Sequence, residues 1–85
     1  MAKSAVEMLM KSIEVALSNI STLEGKKAHL DKCILVERTR SEKQQKQRDQ
    51  ATTEGKLKLA ANNQGHMDVT QACIDALESR KAGLN

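Results

Sequence analysis

The sequence contains no Phe, Tyr or Trp, so the side chains that usually bury the most area are missing and Leu, Ile, Val and Met must do all the packing. The same absence removes any platform on which unpaired bases could stack, which disfavours recognition of single-stranded nucleic acid. Proline is also absent, and the four glycines, Gly25, Gly55, Gly65 and Gly83, are isolated from one another. No phosphate-cradling glycine loop can be built from them. There are only two cysteines, Cys33 and Cys73, and with no secretory signal ahead of them they read as reduced thiols of a cytoplasmic protein. Long apolar runs are lacking too. The stretch from Ala5 to Leu17 is interrupted by Glu7, Lys11 and Glu14, so it is neither a signal-peptide core nor a membrane span.

What is present is Ala, Glu, Lys, Gln, Leu and Met in quantity, the composition of helix with few interruptions, and nothing reads as a strand. With 85 residues the chain is one domain, residues 1–85, of a size that buries only about 60–65% of its unfolded surface. Leu, Ile and Val make up a fifth of it, close to the level of roughly 20% below which highly charged chains stay disordered, although the net charge is only +3. A monomer of this composition is marginal, and self-association would relieve it by burying a second apolar surface.

At 100° per residue, Val6, Leu9, Met10, Ile13, Ala16, Leu17, Ile20 and Leu23 share one arc of about 140°, opposite Lys3, Glu7, Lys11, Glu14 and Ser18. Met8 and Val15 lie on a flank of that arc. The stripe keeps its register past Gly25 to Leu30 and Ile34. Around Gly25 the helix can run through, at a cost of about 1 kcal/mol against Ala, or end on a glycine cap. Alternatively it restarts from the Ser21-x-x-Glu24 capping pattern.

From Glu37 to Lys56 no large apolar residue occurs. Helix propensity stays good through Gln50, with pairs such as Arg38 and Glu42 at i,i+4 spacing, which predicts a solvated helix. Thr52-Thr53-Glu54-Gly55 reads as a turn and Asn62-Asn63-Gln64-Gly65 as a second interruption, before a last helix from about His66 to Lys81. On that helix Asp68, Gln71, Asp75 and Glu78 form a polar stripe, and Met67, Thr70, Cys73, Ile74 and Leu77 face elsewhere. Two apolar arms, residues 5–36 and 57–84, thus flank a polar middle, 37–56. The expected architecture is all-α, an antiparallel helical hairpin or short coiled coil, oligomeric, with the basic middle at its tip.

Candidate chemistry is sparse. His29 and Cys33 stand at i,i+4 and His66 and Cys73 at i,i+7, so a Cys2His2 metal site is arithmetically possible. It lacks the compact C-x2–4-C spacing of structural zinc sites, and both cysteines occupy apolar slots, so the expectation is no metal and no cofactor. Neither an activated thiol nor paired carboxylates would have a pocket in a thin helical hairpin, and no enzyme activity is expected.

Charge is more informative. Residues 26–48 carry eight Lys or Arg against three acids. If the helix is continuous there, Lys32, Arg40, Lys43 and Lys46 share one broad face, as phosphate contacts would require. The ordinary alternative is a solvated face with local salt pairs. The expected function is a small non-catalytic protein-binding module, an adaptor, assembly chaperone or inhibitor, that packs its helices against a partner helix or another copy. The interface residues would be Val6, Leu9, Met10, Ile13, Leu17, Ile20, Leu23, Leu30, Ile34, Met67, Ile74 and Leu77. Two alternatives stand beside it: a nucleic-acid-binding regulator using residues 26–48, and a structural coiled-coil component of a larger assembly. No membrane partner is expected.

Overall fold

The computed structural model describes residues 4–84 and, within them, three α-helices and no strand. Helix α1 spans Ala5–Ser18, α2 Leu23–Thr53 and α3 Leu57–Ala82. The all-helical character expected from composition is therefore what the chain adopts.

Local chemistry sets the ends. Ser4 caps α1 by accepting the Glu7 N–H at 3.1 Å, and Glu7 also places a negative charge near the positive end of the helix dipole. The chain then breaks at residues 19–22 and restarts with Thr22 as the cap of α2, its hydroxyl accepting the Gly25 N–H at 3.0 Å. Gly25 is thus neither a helix stop nor a mid-helix weakness. A Cβ there would lie 2.8 Å from both Ile20 Cγ2 and Thr22 Oγ1, so the absent side chain is what lets the connection fold back on the first turn of α2.

At the other end of α2, Gly55 takes a left-handed φ of 75°. Its N–H donates to Thr52 O (3.1 Å) while the Lys56 N–H donates to Ala51 O (2.8 Å). This pair of bonds closes a helix around a glycine. The turn is the one expected at Thr52–Gly55.

The second expected interruption does not occur, since α3 runs unbroken through Asn62–Gly65. Asn63 is buried there and Gln64 accepts from Arg48 Nη1 at 2.6 Å. Contacts with α2 outweigh the poor helix propensity of Asn62, Asn63 and Gly65.

Cross-helix contacts fix how α2 and α3 lie. Asp31 pairs with Lys81, Arg38 with Glu78, Gln44 with Thr70 and Arg48 with Gln64, so one set of numbers rises as the other falls and the helices run in opposite directions. Along α2 the seam reads Leu30, Ile34, Glu37, Ser41, Gln44, Arg48 and Ala51, and along α3 Ala60, Asn63, Met67, Thr70, Ile74 and Leu77. All of these are buried or half-buried, at the alternating three- and four-residue spacing of a coiled-coil seam.

The arms are consequently divided otherwise than the sequence suggested. Residues 37–53 are not a tip but the second half of α2, packed along the first half of α3. Residues 5–18 form a separate helix lying mainly on α3. Ile13, Leu17, Leu30, Ile34, Ile74 and Leu77 make the one buried apolar cluster among the described residues, with Leu9, Met10, Ile20, Cys33 and Leu84 packed against it. The result is a plank of 50 × 29 × 17 Å, three helices thick with an apolar core at one end, and two helices with a polar seam at the other.

Candidate interaction surfaces

The apolar residues expected to meet a partner divide into two groups. Ile13, Leu17, Leu30, Ile34, Ile74 and Leu77 are buried in the chain's own core, and Val6, Leu9, Met10, Ile20 and Met67 are half-buried. These side chains hold the three helices together. Leu23 remains exposed.

Other aliphatic side chains reach the surface. On α1, Met8 and Val15, two turns apart on one line, are 62% and 60% exposed and border a shallow groove with Lys11 and Ser12. On α2, Leu35 and Val36 are 65% and 52% exposed. Leu57, Leu59 and Val69 of α3 are also exposed. The flank position of Met8 and Val15 outside the first helix's main arc is the sequence signal for those two. Leu35 and Val36 directly follow the buried Ile34, where a run of three apolar residues cannot show which of them faces inward.

The structure sorts the cations of residues 26–48 by role. Arg38 is held by Glu78, Arg48 by Asp49 and Gln64, and Arg40 lies 3.5 Å from Glu37. The expected Arg38 and Glu42 pair is therefore replaced by a bond across the seam. Lys32, Lys43 and Lys46 are exposed and have no carboxylate within 4.0 Å among the described residues. Because α2 is continuous from 23 to 53, these three lysines do share its outward face. Arg40 is turned toward the seam by its carboxylate.

Glu37 is the one acidic side chain buried in the seam, its side chain only 10% exposed. Burial and the nearby Glu37 carboxylate push both thiols, Cys33 and Cys73, above the ordinary cysteine value. They are poor nucleophiles at neutral pH for that reason. Cys33 Sγ sits 3.6 Å from His29 Nε2, while His66 is exposed at a different level of α3. Among the described residues no three His, Cys, Asp or Glu side chains come together as metal ligands. Nor is any described helix long and apolar enough to cross a membrane.

The surface depressions are open grooves along helix edges. One follows Gln47, Ala51, Leu59 and Asn63, and another Leu35, Arg38, Glu78 and Lys81. Neither groups a nucleophile with a base. The chain matches no family model, and no curated protein and no solved structure is significantly similar to it.

Proposed function

We propose that this protein is a small non-catalytic binding module that acts by packing its helices, paired as a hairpin with α1 laid against it, onto another protein surface. It would serve as an adaptor, assembly chaperone or inhibitor in the cytoplasm. The observation that carries this reading is the exposure of Met8 and Val15 along one line of α1, since α1's opposite face already supplies the core. A helix that is apolar on two sides needs two partners, and the chain itself provides one.

The test is site-specific photo-crosslinking in the source cell, with the reactive group placed at Met8 or Val15. The expected result is a discrete product larger than the monomer, lost when the other position of the pair is changed to Glu. Recovery of uncrosslinked monomer alone from both positions would overturn the reading.

A second reading has its own observation. Lys32, Lys43 and Lys46, unneutralised on one straight helix, could contact the phosphates of a duplex, with Arg40 at the margin. Three such contacts would give a salt dependence of about −2.7 in log affinity against log salt. Titration of duplex DNA or RNA at two salt concentrations tests it, and no binding at low salt would rule it out.

A further inference from the structure

The two outward edges of the plank are chemically opposite. With the seam taken as the inward direction of each helix, Lys32, Thr39, Lys43 and Lys46 fall on the side of α2 facing away from α3, with Leu35 and Val36 flanking them on either side. The segment from Lys32 to Lys46 spans about 21 Å of helix. Its one acidic neighbour, Glu42, stands at the margin.

On α3 the corresponding outward side carries Asp68, Ala72, Asp75 and Ser79, all exposed, with Val69 beside them at 45% exposure. Lys58 lies beyond them, nearer the Gly55 turn. Asp68 accepts from Gln64 Nε2 and Asp75 from Gln71 Nε2, each at 2.9 Å. Neither carboxylate has a cation within 4.0 Å among the described residues. The other acids of α3's neighbourhood are already used: Glu78 holds Arg38, Asp31 holds Lys81 and Glu14 holds Arg80.

We infer that the basic outer face of α2 docks a second copy of this chain, through the acidic outer face of that copy's α3. The inference rests on the protein-binding reading above and names the partner for a different surface. Charge complementarity carries it. Each face holds the sign the other lacks, each is unneutralised within the chain, and each has an exposed aliphatic residue beside its charges, Leu35 and Val36 on one and Val69 on the other. Short Ala72, between the two aspartates, lets the helices approach closely. A phosphate backbone would satisfy the lysines but would leave Leu35 and Val36 in water. An α3 face covers them.

Because the two faces differ and sit on opposite edges, the contact is head-to-tail. A bound pair still presents one free face of each sign, one on each copy, so the assembly is a ring if the rotation closes and a filament if it does not.

The experiment uses the full chain and light scattering over a range of protein concentration, at about 0.1 M and about 1 M salt, where the screening length falls from about 10 to about 3 Å. The expected result is association that weakens at high salt. Lys43→Glu with Lys46→Glu, and separately Asp68→Lys with Asp75→Lys, each weaken it by about tenfold or more, since attraction becomes repulsion at two pairs. Lys43→Arg with Lys46→Arg retains it, and circular dichroism verifies that every variant is helical.

The deciding sample is the mixture of the two reversed variants. The acidic α3 face of one meets the basic α2 face of the other, and the two reversed faces are complementary as well, so each variant alone stays dissociated while the mixture assembles with the two variants alternating. Monomer at all concentrations, association indifferent to either reversal, or a mixture that stays dissociated would each overturn the inference. So would lysines that bind duplex nucleic acid while the chain stays monomeric. A product crosslinked from Met8 or Val15 would survive any of these results, so failure here is distinguishable from failure of the binding-module reading.

Discussion

Arg80 grips the carboxylate of Glu14 with two nitrogens, Nε at 2.8 Å from Oε2 and Nη2 at 3.0 Å from Oε1, and this fork is the polar bond that joins α1 to α3. Planar two-point contact is the geometry that makes an exposed ion pair more than incidental. The bond also fixes how far α1 can slide along α3, and so where Met8 and Val15 are presented.

The Glu14 carboxyl is held below its ordinary value of 4.5, chiefly by the hydrogen bond from Arg80. A depressed folded-state value means that the pair's contribution is complete above 4.5 and is lost as pH falls through the lower folded value. Glu14→Gln is therefore expected to be slightly less stable than the parent at neutral pH, with the difference closing below pH 4.5. Thermal melts of the two proteins between acid and neutral pH check this. A gap that stayed constant with pH would show that the ion pair contributes nothing.

Leu77 is fully enclosed, at 0% exposure, where all three helices meet. Leu77→Ala is expected to cost about 2–5 kcal/mol, the range for emptying a buried leucine site. Total stability of a domain is only about 5–15 kcal/mol, so the variant should unfold at a markedly lower urea concentration than the parent. Urea unfolding followed by circular dichroism measures it.

Two glycines within helices should respond in opposite directions to the same change. Gly65→Ala meets nothing within 4 Å and should stabilise by about 1 kcal/mol through helix propensity. Gly25→Ala gains the same propensity but drives its methyl against Ile20 Cγ2 and Thr22 Oγ1. It should be net destabilising, since displacing Thr22 also removes a cap worth about 1 kcal/mol. Equal effects of the two substitutions would show that the 19–22 connection is not tightly packed.

The seam's polarity predicts uneven protection. Around Leu30, Ile34, Ile74 and Leu77 the contacts are apolar, whereas from Glu37 to the Gly55 turn they are mostly polar, through Ser41, Gln44, Arg48, Asn63 and Thr70, with Cys73 and Ala51 buried and Met67 half-buried among them. Amides of Arg48–Leu59 should exchange with deuterium well before those of Leu30–Ile34 and Ile74–Leu77. Uniform protection along α2 would contradict this.

Much of the architecture was legible because it is periodic. The stripe from Val6 to Leu17 is one face of α1, and Gly55 stops α2 where a left-handed residue is needed. The break before α2 was only half legible. The sequence offered Ser21 and Glu24 as a capping pattern, but Thr22, one residue later, makes the bond. The continuity of α3 through Asn62–Gly65 was illegible, because the contacts that hold Asn63 and Gln64 come from Arg48 and its neighbours on another helix.

The candidate surfaces show the same division. Apolar spacing identified residues that face inward, but it could not say whether inward meant this chain or another, and the core claimed Ile13, Leu17, Leu30, Ile34, Ile74 and Leu77. Charge counting located the basic segment, while only the paired helices separated Arg38, Arg40 and Arg48, spent within the chain, from Lys32, Lys43 and Lys46, which are not. By itself the sequence determined helix type, the helix ends at Gly55 and near Lys81, and the side of α1 that seeks cover, since those depend on neighbours within a few residues. The tertiary structure decided which helices cover one another, and hence which charges and aliphatic side chains are left over, because that depends on residues up to 66 positions apart meeting across a seam.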